Sequence, residues 1–138
     1  MSRTLHIARY LWAGPYTGLG LLLGTSMLLL GGSWRRHLGV IEFFGGAAGA
    51  ALARVPQPLG FSAMTLGHVI LAVDRSALAQ LRRHEHVHVR QYERWGPFFL
   101  PAYLLSSFLQ LLRGRNPYRE NHFERQAFAL APRRRADS

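Results

Sequence analysis

Residues 83–91 read Arg83-His84-Glu85-His86-Val87-His88-Val89-Arg90-Gln91, and His84, Glu85 and His88 stand in an HExxH spacing. On a helix, residues four apart share a face at about 5 to 6 Å, so two imidazoles can close on one tetrahedral metal ion with the glutamate beside its water. The spacing asks two things of any fold: a helix through this segment, and a further donor from elsewhere in the chain, because an open catalytic zinc takes three protein ligands.

The helix is legible. From Ser76, the positions Leu78, Leu81, His84, Glu85, His88 and Tyr92 follow the i, i+3, i+4, i+7 rule and set the proposed ligands on the buried stripe. Ser76 or Asp74 can cap its start and Gly96-Pro97 stops it, while Arg83, Arg90 and Arg94 take outward positions. His86 falls about 200° around the helix from His84 and points away from the metal. A strand with His84, His86 and His88 on one face is disfavoured, because the flanking SALAQLRR and RQYERW stretches lack β-branched residues and have helical period.

The acidic residues downstream are Glu93, Glu120, Glu124 and Asp137. Glu93 lies off the ligand face and Asp137 in a charged tail. Glu120 and Glu124 belong to a second predicted helix that starts with Asn116 as N-cap and Pro117 at the first helical position. There they share a face, and spacing alone does not choose between them.

With these residues in view, the chain resembles the gluzincin zinc metallopeptidases. HExxH is followed by a glutamate helix in which Glu124-Arg125-Gln126-Ala127 fits an ExxA pattern, and Gln91 extends the first motif to HExxHxxQ, a form similar to the small minigluzincins. NPYRENHFERQAF also resembles an NPFEREAY-like stretch of small bacterial proteins in that neighbourhood, departing from it at His122-Phe123, where Pro-Phe is usual. The resemblance covers roughly residues 61 to 130 and rests on the two motifs together. It implies a bound zinc ion held by His84, His88 and Glu124, with Glu85 as general base and acid, and it favours Glu124 over Glu120. It also implies a minimal zincin-like domain, in which a strand edge above the metal pairs with an extended peptide substrate. No residue matches a family oxyanion stabiliser; Tyr118, Tyr92 and His122 are the candidates by chemistry, against ordinary packing.

The 138 residues show no internal repeat and suit one domain. Residues 61–73 read as an extended strand ending at Asp74, and residues 39–44 as another with Gly45-Gly46 at its turn. Ala47 to Arg54 reads as a short helix closed by Pro56 and Pro58. The expected fold is α+β, a small antiparallel sheet packed on metal-binding helices, with an apolar N-terminal helix. The expected divisions are an apolar segment 1–36, a metallopeptidase domain 37–131 and a basic tail 132–138.

From Tyr10 to Trp34 there is no charge, a length adequate for a membrane helix; a buried core helix and a cleaved signal are the rivals. A second uncharged run, Trp95 to Leu112, reads as a packed helix that returns Glu124 to the metal helix, with room for one face on lipid. Seventeen arginines and no lysine against 7 acidic residues give +10, which favours anionic membrane surfaces or nucleic acid as partners. The tail Pro132-Arg133-Arg134-Arg135 invites nucleic acid, but neither a recognition helix nor an aromatic stacking platform accompanies it. Arginines after the apolar N-terminal run would set the catalytic part on the cytoplasmic side of a membrane. Without cysteine there is neither disulfide nor thiolate ligand.

The chain is therefore expected to be a membrane-associated zinc endopeptidase. A catalytically silent zinc-binding protein of the same fold is the alternative, and a basic nucleic-acid binder comes third.

Overall fold

The computed structural model describes residues 3–55 and 62–131. Four strands form one sheet in the order β1-β2-β4-β3, where β1 is Ser33–His37, β2 Val40–Phe44, β3 Ala63–Leu66 and β4 Val69–Ala72. The helices are α1 (Arg3–Leu29), α2 (Gly46–Ala53), α3 (Arg75–Trp95), α4 (Phe99–Leu112) and α5 (His122–Leu130), with a single 3-10 turn, Gly96–Phe98, joining α3 to α4.

The α+β class holds, but the sheet is mixed, not antiparallel. Two antiparallel hairpins meet through a parallel β2–β4 pair, because the chain leaves β2, runs through α2 and comes back before β4. The single strand expected over 61–73 is two strands: Gly67, at φ 60°, turns the chain so that Leu66 pairs with Val69. Phe61, Pro56, Pro58 and the basic tail 132–138 lie outside the described residues. β1 escaped the sequence reading altogether. Its SWRRH has no apolar alternation, and it is held by pairing to β2 across the tight turn at Leu38-Gly39.

Period two sorts the core. Val40, Phe44, Ile70 and Ala72 face α3 and pack on its Leu78 and Val89, whereas Phe43, Leu66, Val69 and Leu71 pack with Met27 of α1 on the opposite face. Each such side chain, fully buried, contributes about 1.5–3 kcal/mol. α1 comes this close because it presents glycine: a Cβ at Gly20 would stand 2.7 Å from the Val69 Cβ, and one at Gly24 would run into the Phe43 ring. The uncharged N-terminal run is thus a layer on the sheet along one face, with Leu11 and Leu22 exposed on the other. Among the described residues, one helical run, Arg75–Leu112, is long and apolar enough by length and composition to cross a membrane, and 11% of its apolar window is buried.

The glutamate helix begins later than its sequence signals imply. Asn116 caps only a turn, accepting from the amides of Tyr118 and Arg119. The N-cap of α5 is the buried Asn121, which accepts from the amides of Phe123 and Glu124 and donates to the Tyr103 carbonyl and the Ser107 hydroxyl. An Asn-Pro pair serves a turn as readily as a helix start, and the better-anchored asparagine takes the helix. Glu120 consequently lies in the turn ahead of α5 and shares no helix face with Glu124.

Candidate metal centre

Asp74 is the N-cap of α3, accepting from the Ala77 amide at 2.7 Å, and Gly96 closes the helix. Two polar anchors set its rotation on the sheet. Glu42, Ile70 and Thr65 sit side by side on β2, β4 and β3, in a row beneath the helix. Glu42, fully buried, takes the Arg82 guanidinium through both carboxylate oxygens at 2.9 and 3.0 Å, with His86 Nε2 at 3.6 Å. At the other end of the row, Thr65 Oγ1 donates to Glu85 at 2.7 Å. His86 is therefore turned toward Glu42 and off the metal-facing side, as its angle on the helix predicts.

Held in this way, α3 presents His84, Glu85 and His88 with ligand atoms within 4.8 Å of one another, a group that can hold a metal ion. α5 brings Glu124 to the same place. Its Oε2 lies 2.9 Å from His84 Nε2 and its Oε1 3.1 Å from His88 Nε2. All four side chains are buried, at 3–6% exposure.

The surrounding groups fix orientation. His88 Nδ1 lies 2.7 Å from the Gln91 amide oxygen, while the Gln91 amide nitrogen donates to the Phe123 carbonyl and to Gln126. Because that amide oxygen can only accept, His88 carries a proton on Nδ1 and Nε2 is the atom offered to the site. Tyr103, from α4, donates to Glu124 Oε1 at 2.8 Å. His84 packs on the Phe128 ring with centroids 4.5 Å apart, and its buried Nδ1 has no hydrogen-bond partner.

Charge follows this arrangement. Burial alone would raise the Glu124 carboxyl, yet hydrogen bonds from His84 and His88 take it down to about 2. Burial likewise opposes the charged form of His88, but its bond to Glu124 and the nearby Glu85 lift it to about 9. Glu85 goes the other way: burial outweighs the two histidines and Thr65 and raises its carboxyl. A carboxylate held ionised against two imidazoles, next to a carboxyl pushed toward neutrality, is a division of labour suited to a ligand and a proton carrier.

The imidazole nitrogens of His84 and His88 and the carboxylate of Glu85 are a donor set that can hold a metal ion.

Of the other residues singled out from sequence, Glu93 pairs with His68 and Arg9, off the site. Tyr92 packs in the core against Tyr16 and Phe99, Tyr118 is exposed, and His122 is an exposed residue at the start of α5. A phenol that reaches Glu124 is Tyr103, inside an apolar run; its one signal in the sequence is that it is the only tyrosine of α4. Thr65 gave no signal, since a threonine inside a strand is ordinary.

The chain matches no protein-family model, no curated protein and no solved structure.

Proposed function

We propose that this protein is a zinc-dependent metalloendopeptidase of the gluzincin kind, associated with a membrane and acting on peptide or protein substrates on its cytoplasmic side. The observation that carries the reading is the convergence of both Glu124 carboxylate oxygens on the Nε2 atoms of His84 and His88, with Glu85 alongside. In this reading His84, His88 and Glu124 hold the ion, and the absence of cysteine leaves nitrogen and oxygen as the donors. Zinc, when bound, supplies a Lewis acid that polarises the scissile carbonyl and brings the pKa of water toward about 7.

The remaining work falls to the chain. Glu85 takes the proton of the attacking water and delivers it to the leaving amine, and its raised carboxyl suits both transfers. Thr65 holds the Glu85 oxygen in place. Gln91 keeps the His88 tautomer, and Tyr103 steadies Glu124. Among the described residues β3 is an edge strand that carries Thr65, so a substrate added along its outer edge would run past Glu85.

A silent zinc-binding protein is the second reading, and the burial of all four site residues favours it. Elemental analysis after dialysis, on wild type beside Glu124→Ala and Glu120→Ala, tests the ligand set. One zinc per chain, lost with Glu124 and kept with Glu120, is expected. Cleavage of a peptide library by wild type, lost in a Glu85→Gln variant that keeps its zinc, would separate an enzyme from the silent protein. A zinc-replete wild type without the metal sinks both.

A further inference from the structure

A polarity boundary crosses the helical run that carries the site. The outer side of α3 bears Arg83, Arg90 and Arg94, and from Trp95 no charged residue follows until Arg113. α4 turns its polar groups inward. Ser106 Oγ accepts from the His122 amide, and Ser107 Oγ donates to the Pro117 carbonyl and accepts from Asn121. Its outward stripe, Leu104, Leu105, Phe108, Leu111 and Leu112, follows i, i+1, i+4, i+7, i+8 and is 55–68% exposed.

At the boundary α1 crosses the end of α3. The Trp12 indole lies against Gly96, with its ring centroid 6.0 Å from that of Phe98, and one turn earlier Arg9 reaches Glu93 at 3.6 Å. Between the two helices is a cleft of about 350 Å³ lined by Arg9, Arg90, Glu93 and Arg94. Among the described residues it gathers the Arg9, Arg90 and Arg94 guanidiniums around the Glu93 carboxylate, which is itself shared by Arg9 and by His68 at 3.3 Å. Among the described residues no ion pair joins Arg90 or Arg94 to a carboxylate. Guanidinium forks match phosphate oxygens, and tryptophans beside arginines at an apolar edge mark the headgroup level of a bilayer.

We propose that this face seats on an anionic bilayer, with the phosphate of an anionic phospholipid in the Arg9-Arg90-Arg94 cleft and the α4 stripe in the acyl boundary. α4 itself has 14 residues, about 21 Å, and the run that meets the roughly 30 Å span criterion does so only by including the end of α3 and the Gly96–Phe98 turn. The inner face of α4 is hydrogen-bonded to the turn and cap ahead of α5, so it lies in the plane of the membrane instead of crossing it. A second copy is the poorer occupant, because two chains of +10 repel. Seating deepens the membrane part of the functional reading without depending on its zinc chemistry. It restricts peptide substrates to segments at headgroup level.

The test is co-sedimentation of the full chain with vesicles of phosphatidylcholine alone or mixed with phosphatidylglycerol. Association is expected to be at least about tenfold stronger with the mixture and to weaken with salt, each arginine removed costing about fivefold. Arg90→Gln/Arg94→Gln should lose the preference for anionic vesicles. Leu105→Asp/Phe108→Asp, with a wild-type circular dichroism spectrum, should lose binding to both. Equal binding to both vesicles, or an unchanged preference in the arginine variant, overturns the proposal. So does a lipid-free dimer abolished by Phe108→Asp, or saturation of the cleft by inorganic phosphate alone. Zinc content and cleavage measured on the same preparations keep the readings apart, since vesicle binding without cleavage counts against the peptidase only.

Discussion

Thr65 Oγ1 lies 2.7 Å from the Glu85 carboxylate and 3.1 Å from the carbonyl oxygen of the same residue, so its one proton ties an edge strand to the proposed proton carrier. The contact is possible because Thr65 stands opposite Ile70 on the sheet face that α3 covers. In Thr65→Val the methyl replaces the donor and Glu85 loses its fixed oxygen. Peptide turnover is expected to fall about tenfold or more, with zinc content unchanged and Thr65→Ser restoring most of it. A turnover equal to wild type in Thr65→Val would dismiss the clamp.

Gln91 and Tyr103 act on His88 and Glu124, two of the proposed ligands. Gln91→Leu removes the acceptor that sets the His88 tautomer, and Tyr103→Phe removes the donor to Glu124 Oε1. Each should weaken zinc binding about 10–100-fold in chelator competition.

His88 gives the chelator-treated protein a pH signature. Its folded value, about 9, is above the ordinary 6.5, so the stability it contributes is fully present below pH 6.5 and is lost as pH rises through 9. Thermal melts of metal-stripped protein should therefore show a falling midpoint between pH 6.5 and 9. His88→Ala should flatten that slope.

The opposite sign applies at Glu42. Burial alone would raise this carboxyl, but His86 and the Arg82 fork lower it below 4.5. The stability it contributes is present above pH 4.5 and lost as pH falls through the lowered value. Arg82→Ala leaves a buried carboxylate without its bidentate partner and should cost about 3–5 kcal/mol in urea unfolding at neutral pH. A loss under 1 kcal/mol, the size expected of an exposed pair, would mean that water reaches Glu42.

Gly24 tests the packing of α1. A Cβ there enters the space of the Phe43 ring, so Gly24→Ala should destabilise by about 1–3 kcal/mol despite its better helix propensity. Gly14, with open space around it, should tolerate alanine. Equal melting temperatures for Gly24→Ala and wild type would show α1 detached from the sheet in solution.

The sequence by itself determined what short-range physics can write. Helical period and caps marked α3, starting at Asp74 or Ser76 and stopping at Gly96, and put His84, Glu85 and His88 on one side of it and His86 on another. The strand signal over 39–44 pointed to β2, and the alanine-rich run from Ala47 to Arg54 pointed to α2. Local signals misled where two local structures satisfy the same residues: Asn116-Pro117 made a turn, and residues 61–73 folded back at Gly67. Tertiary structure decided what depends on distant partners. β1 exists because β2 pairs with it. α1 lies on the sheet because Gly20 and Gly24 allow the approach to Val69 and Phe43. Spacing left Glu120 and Glu124 equal, and the buried cap Asn121, held from α4, starts the helix that carries Glu124 toward the histidines and leaves Glu120 in the turn. Thr65 and Tyr103 were invisible for the same reason: a hydroxyl advertises nothing in sequence until the fold sets its one proton against a buried carboxylate.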